Sequence, residues 1–390
     1  MTRARDLGIR VGRGQPGPNN AITDVAGVRV GHTTLISGDG RLEVGRGPVR
    51  TGVTAIVPHD GDIWHDPLFA GCFTLNGNGE MTGLEWVRES GFLGGAIGLT
   101  NTHSLGVVHD ALIAEAVAGA QPGAPFWSLP VVGETWDGQL NDINGFHVRA
   151  EHVRAALAAA ADGPVAEGNV GGGTGMICHE FKGGIGSASR VLPAEAGGWT
   201  VGALVQANYG QRDQLRVDGV PVGEAIGTDE VPSPWSPARS SSALAPAPVA
   251  PRASSDGGSI IGVVATDAPQ LPHQCERLAK RAALGVARAG GYGSHTSGDI
   301  FLAFTTGNRD LAVAAGETVD PQTLTAAARL VVDGAITPLM LATVEAVEES
   351  IVNALVAAQT MVGRDGNTAH ALPHDRLVEV MDRFGRGPHR

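Results

Sequence analysis

Lysine is almost missing from this chain: of 390 residues only Lys182 and Lys280 are lysines, and the net charge is -12. A nucleic-acid binder needs a basic face to displace counterions from phosphates, so this balance argues against that class. Cysteine is nearly as scarce. Cys72, Cys178 and Cys275 stand far apart with no CxxC pair, which excludes a zinc ribbon or a disulfide framework and fits a reducing, cytoplasmic compartment. No run reaches the roughly 20 apolar residues of a membrane helix. The arginines of residues 1–20 have no apolar stretch behind them, so the N-terminus does not read as a secretory signal. Aromatic residues make up only 4%, against 57 glycines and 42% hydrophobic residues. Such a core is built from Ala, Val, Leu and Ile, with backbones drawn together at glycine.

The apolar material alternates between two periods. Residues 28–32, 53–57, 202–206, 259–266 and 300–305 read as strands, the run Ser259 to Thr266 being β-branched enough for a central one. Residues 105–118, 144–161 and 273–289 carry a helical period, and 339–362 reads as a long, largely buried helix. Strands interleaved with helices point to a layered α/β or α+β architecture. One segment, Asp229 to Gly257, breaks the pattern. Its prolines at 232, 234, 237, 246, 248 and 251 prevent helix or sheet from running through it, so it reads as a linker or flexible excursion.

The glycine clusters do not read as a phosphate loop. In residues 168–175 Met176 stands where the third glycine of GxGxxG belongs, and Lys182 precedes its glycines, the wrong order for a P-loop. Close backbone packing is the better account. The thirteen histidines include no HExxH, and no metal is expected. No serine sits in a GxSxG elbow.

The junction Asp256-Gly257-Gly258-Ser259-Ile260 carries more chemistry. A linker runs straight into a buried strand whose first residue bears a hydroxyl. The Oγ of Ser259 can attack the Gly258 carbonyl in an N-to-O acyl shift, and hydrolysis of the ester would leave Ser259 as a new N-terminus. Glycine leaves the attacked carbonyl open. The freed α-amine, with a reference pKa of about 7.7–8.0, can act as base for its own hydroxyl. Taken alone, the same residues also describe an ordinary serine ending a linker.

Together with residues 5–9, 20–28, 76–83, 134–138, 168–175, 181–190, 206–210 and 297–306, the Gly258–Ile261 junction resembles the DmpA-type peptidase family. That family comprises self-processing L-aminopeptidase/D-amidase-esterases and β-peptidyl aminopeptidases. The resemblance covers nearly the whole chain outside the linker. It implies an α+β fold, a four-layer αββα sandwich layered like the N-terminal-nucleophile hydrolases but with its own topology. It further implies one domain over 1–390, cleaved between Gly258 and Ser259 into an α chain (1–258, with 229–257 as a flexible tail) and a β chain (259–390). No cofactor is implied. The implied assembly is a tetramer of αβ units, and the implied substrates are small peptides, amino-acid amides or esters.

Roles follow by position. The resemblance implies Ser259 as nucleophile, Asn208 as side-chain donor to the oxyanion, and Ser297 with Asp299 as the pair that positions the serine's hydroxyl and amine. Some members carry Glu where this chain has Asp299. Glu134 is implied to pair with the substrate's ammonium. Trp136 replaces a Tyr of some relatives, so it either shapes the acyl pocket or leaves oxyanion binding to Asn208 and a backbone N–H. Two other readings are compatible with the architecture. One is acetyl transfer of the ornithine acetyltransferase type, although those enzymes use a processed Thr. The other is an uncleaved, non-catalytic scaffold.

Overall fold

Residues Ser259–Thr266 are buried at every position, so this strand needs neighbours on both edges and cover on both faces. The computed structural model supplies them; it describes residues 1–120, 123, 126–235, 258–311 and 324–388. One sheet is built from β1 (Arg29–Ser37), β2 (Val49–Val57), β5 (Ile97–Asn101) and β6 (Val131–Thr135), in that order. The larger sheet adds β3 (Leu68–Gly77), β4 (Phe92–Leu93), β9 (Gly184–Val191), β10 (Thr200–Asn208), β11 (Ser259–Thr266) and β12 (Gly298–Thr305). Its order is β4-β3-β12-β11-β10-β9. β11 runs antiparallel to β10 and parallel to β12, at the centre of the sheet. The hairpin β7 (Ile177–Cys178) and β8 (Phe181–Lys182) stands beside it.

Three apolar interfaces define the layers. Helices α2 (Leu105–Gly119) and α3 (Ala150–Ala158) place Val108, Leu112 and Val153 on Val53 and Val132 of the smaller sheet. The other face of that sheet sets Ile56, Leu99 and Val131 against Leu204, Ile261, Val263 and Leu302 of the larger one. On the far side, Ile260, Val264 and Phe301 meet α5 (Pro272–Arg288) and α6 (Thr337–Ala357) through Leu278, Ala282, Val347 and Ile351. Along β11 the residues alternate between these two interfaces, the period-2 signature of a strand with an apolar layer on each face. The result is the α+β sandwich αββα. Among the described residues no helix is long and apolar enough to cross a membrane.

The glycine cluster behaves as packing requires. A Cβ at Gly172 would lie 2.2 Å from Gln206 Oε1 and 2.7 Å from the Leu99 carbonyl, so the 171–173 turn is wedged between the sheets. Helix ends differ from the sequence reading in two places. The helix expected over 144–161 is confined to Ala150–Ala158, because Phe146 adopts a left-handed φ of 52° and ends the turn before it. The helix expected over 339–362 stops at Ala357. Asn169 accepts from Gln359 N (3.1 Å) and donates to its carbonyl (2.8 Å), which extends the chain there and leads it into β13 (Met361–Val362), paired with β14 (Thr368–Ala369).

The segment read as a flexible tail divides. Its first part is anchored: Val231 is buried in the core, its carbonyl accepts from Arg212 (2.9 Å), and Gln139 donates to the Pro234 carbonyl (2.9 Å). Apolar burial there outweighs the linker-like composition. The remainder of that expectation, 236–257, lies outside the described residues.

Candidate active site

Strand register assembles the site. Asn208 ends β10 opposite Ser259, which opens β11, and Ser259 in turn stands opposite Gly298 at the start of β12. Adjacent strands are about 4.8 Å apart, so these three form one row across the sheet. The Gly298 N–H donates to Ser259 Oγ at 3.1 Å. Ser259 is only 8% exposed, and it lines a cavity of about 630 Å³ with Gly258, Asn208, Tyr209, Glu134 and Trp136. Gly258 has no room for a side chain: a Cβ would lie 2.6 Å from the Asn208 carbonyl oxygen and 2.7 Å from Tyr209 Cα. The scissile bond suggested by the sequence is thus pressed onto the end of β10.

Asn208 is held at both ends of its amide. Oδ1 accepts from the Ile177 N–H (2.8 Å), and Nδ2 donates to the Trp136 carbonyl (2.9 Å). An amide nitrogen has two protons, so one remains for another acceptor. Ser297 and Asp299 lie beneath this row. Ser297 Oγ is 2.7 Å from Asp299 Oδ2 and accepts from Asn76 Nδ2 at 3.0 Å. Burial pushes the Asp299 carboxyl up to about 6, against the Ser297 hydroxyl and the Ile260 N–H, which favour the charged form. Its second oxygen, Oδ1, is buried and has no hydrogen-bond partner among the described residues. An unsatisfied carboxylate oxygen beside the strand of Ser259 suits an incoming cation.

Glu134 and Trp136 come from the other sheet. Glu134 belongs to β6 and is buried, its Oε1 accepting from the Glu80 N–H (2.9 Å) and its Oε2 from the Thr102 hydroxyl. Burial raises its pKa, and those two donors oppose the shift. The Trp136 indole, 41% exposed, stacks on Trp235 with ring centroids 6.3 Å apart and an interplanar angle of 16°. Among the described residues no histidine lines the cavity. The site therefore spans the gap between sheets at one end of the sandwich. Of the side chains singled out from the sequence, Glu134 and Trp136 line this cavity with Asn208 and Ser259, whereas Ser297 and Asp299 line a small neighbouring cavity with Tyr209 and Gly210.

Three contributors went unread in the sequence. Trp235 sits in the stretch read as a linker, and its only signal was a tryptophan among prolines in a chain poor in aromatics. Thr102, in the turn that follows β5, and the Glu80 backbone reach Glu134 from segments that nothing local in the sequence connects.

The pattern of peptidase family S58 matches residues 20–369. The chain belongs to peptidase family S58. It is 50% identical to the β-peptidyl aminopeptidase BapA of Sphingosinicella microcystinivorans, over 98% of this chain and 93% of that one. Among solved structures, a Burkholderia sp. β-aminopeptidase superposes with a TM-score of 0.87 at 53% identity, covering 98% of this chain and 99% of the other. The L-aminopeptidase D-Ala-esterase/amidase of Ochrobactrum anthropi gives 0.83 at 44% identity, covering 99% of both; its structure is described as a variant of the Ntn hydrolase fold and a prototype of the serine aminopeptidases. This S58 member is accordingly a hydrolase of the aminopeptidase type with an Ntn-like fold. Membership of a peptidase family does not favour the acetyl-transfer alternative.

Proposed function

We propose that this S58 peptidase cleaves itself between Gly258 and Ser259 and then removes N-terminal residues from small peptides, amides or esters, β-amino acyl groups foremost. The observation that carries the reading is the row Asn208–Ser259–Gly298 facing Glu134 across one cavity. In self-cleavage Ser259 Oγ attacks the Gly258 carbonyl carbon, the C–N bond breaks, and the hydroxyl proton passes to the departing nitrogen. Water then hydrolyses the ester to a Gly258 carboxylate and a free Ser259. In turnover the new α-amine takes the Oγ proton, and Oγ attacks the substrate carbonyl. The developing oxyanion accepts from the free Asn208 Nδ2 proton, and Glu134 holds the substrate ammonium. The proton on the α-amine leaves with the amine product, and water releases the acyl group. A cytoplasmic homotetramer belongs to the same proposal, with three buried free thiols as its compartment argument.

The β preference draws on the relatives named as β-aminopeptidases. It is tested on the cleaved protein with p-nitroanilides of β-amino acids against those of L- and D-α-amino acids. Faster turnover of the β series is expected; fastest turnover of an L-α-amino acid would remove this part of the proposal.

Trp235 should set acyl selectivity. With Trp136 it makes an aromatic wall of the cavity, so Trp235→Ala should raise KM about 10-fold for substrates with large apolar side chains, the value of ~1–2 kcal/mol of lost packing. Unsubstituted β-alanyl substrates should be little affected. Equal losses for both would show that Trp235 only supports the fold.

The pH profile tests the base. The α-amine must be neutral to accept the hydroxyl proton, so kcat/KM should rise through its pKa, for which the reference is about 7.7–8.0. It should fall again where the substrate ammonium deprotonates. A carboxylate favours the charged form of a nearby amine, so Asp299→Asn should move the rising limb to lower pH. His295→Gln should leave it in place, since His295 is exposed and does not line the cavity. Loss of that limb in His295→Gln would transfer the base to the imidazole.

A further inference from the structure

In a chain with two lysines, one of them is fully buried. Lys182, on β8, has no accessible surface. Its ammonium meets three backbone carbonyls, those of Gly183 (2.7 Å), Met176 (2.8 Å) and Gly173 (3.2 Å). An ammonium has three donors and no acceptor, so this cradle matches the protonated form; a neutral amine would turn a lone pair toward one carbonyl. Burial disfavours the charge, while the three accepting carbonyls and the ionisable neighbours Cys178 and Asp137 favour it. Burying an ammonium without an ion-pair partner at contact is costly, and a methionine would fill the same space.

The use of that charge shows in what it holds. The Met176 carbonyl and the Ile177 N–H are the two ends of one planar peptide unit. The carbonyl accepts from Lys182, and the N–H donates to Asn208 Oδ1 at 2.8 Å. A cation on the carbonyl fixes the plane and polarises its N–H, which strengthens the bond beyond it. Asn208 cannot then flip its amide, and Nδ2 stays turned toward the Trp136 carbonyl and the cavity.

We propose that Lys182 is a positioning residue for Asn208, acting through the 176–177 peptide as a tethered internal cation. The inference rests on the reading of Asn208 as oxyanion donor. It also gives the lysine-and-glycine stretch around 182–184, which is no phosphate loop, a part in the reaction.

A double-mutant cycle tests it, with rates normalised to cleaved chain. Asn208→Ala should lower kcat about 10²–10³-fold, the usual effect of removing one oxyanion donor. Lys182→Met should lower kcat roughly 10-fold or more with KM little changed. If Lys182 acts through Asn208, the double variant should be no slower than Asn208→Ala alone. Multiplicative losses would overturn the inference while leaving Asn208 in its role. An Asn208→Ala enzyme with full kcat would instead remove the reading on which it rests. Should Lys182→Met fail to fold or cleave, the wild-type protein decides. With lysine-selective ¹⁵N labelling it has only two Nζ signals, and 1-aminoethylboronic acid supplies an oxyanion at the serine. The Lys182 signal should shift in wild type and stay put in Asn208→Ala; no wild-type shift would overturn the inference.

Discussion

Ser259→Ala is expected to purify as one chain of 390 residues with no aminopeptidase activity, whereas the wild type should separate on a denaturing gel into fragments of 258 and 132 residues (390 − 258 = 132). The expectation follows from the junction's geometry. Ser259 Oγ is fixed by the Gly298 N–H, and Gly258 is packed onto Asn208 and Tyr209 so tightly that no side chain fits. Both hold the attacked peptide in one orientation beside the attacking oxygen, which is the entropic part of the acceleration. Alanine removes the only atom able to form the ester. Ser259→Cys keeps a nucleophile and should cleave slowly, by an N-to-S shift. N-terminal sequencing of the smaller fragment should read Ser-Ile-Ile; any other start would remove the basis for a self-made nucleophile.

Equally large is the expected effect of Glu134→Gln on substrates with a free amine. The carboxylate is buried and already accepts from Glu80 N–H and the Thr102 hydroxyl, so it is presented to the cavity in a fixed position. Burial raises its pKa, and an arriving ammonium reverses that by favouring the charged form. Removing one partner of a buried charge pair costs about 2–5 kcal/mol, so kcat/KM should fall between about 30- and several-thousand-fold. Self-cleavage should continue, because no amine is recognised in that step. Acetylating the substrate amine should penalise the wild type by a similar factor and Glu134→Gln much less. Equal hydrolysis of acetylated and free p-nitroanilides by the wild type would show that Glu134 does not read the amine.

Both predictions depend on residues that differ in how visible they were. The buried strand that Ser259 opens was legible because its signal is local, a β-branched run in consecutive positions, and the glycine and hydroxyl ahead of that run are what suggest the proposed cleavage. The lengths of α2 and α5 were legible because a helical period is also local. Helix ends were less so. Phe146 and Asn169 stop or divert the chain through a left-handed φ and a side-chain bracket, and neither leaves a trace in periodicity. The acids of α6 carry no local sign of their burial either. They are buried because Arg190 and Arg5 reach Glu349 and Arg288 reaches Glu348, partners distant in sequence.

What the sequence determined by itself, then, was the kind of strand that carries Ser259, the glycine ahead of it, and the family to which so many segments in order belong. Asn208, Ser297, Asp299 and Glu134 could be pointed to only through that resemblance, since each is a common polar residue in an unremarkable setting. Their assembly was decided by tertiary structure. The antiparallel register that puts Asn208 beside Ser259 is set by how whole strands bury their faces, because a one-residue slip would turn every side chain to the opposite layer. The approach of Glu134 is set by the stacking of two sheets through Ile56, Leu99, Val131, Ile261 and Val263. Trp235 is held by apolar contact with Leu140, Ile177, Met361 and Ala369, against the linker composition around it. Such contacts join residues tens to hundreds of positions apart, and burial of apolar surface is indifferent to sequence separation.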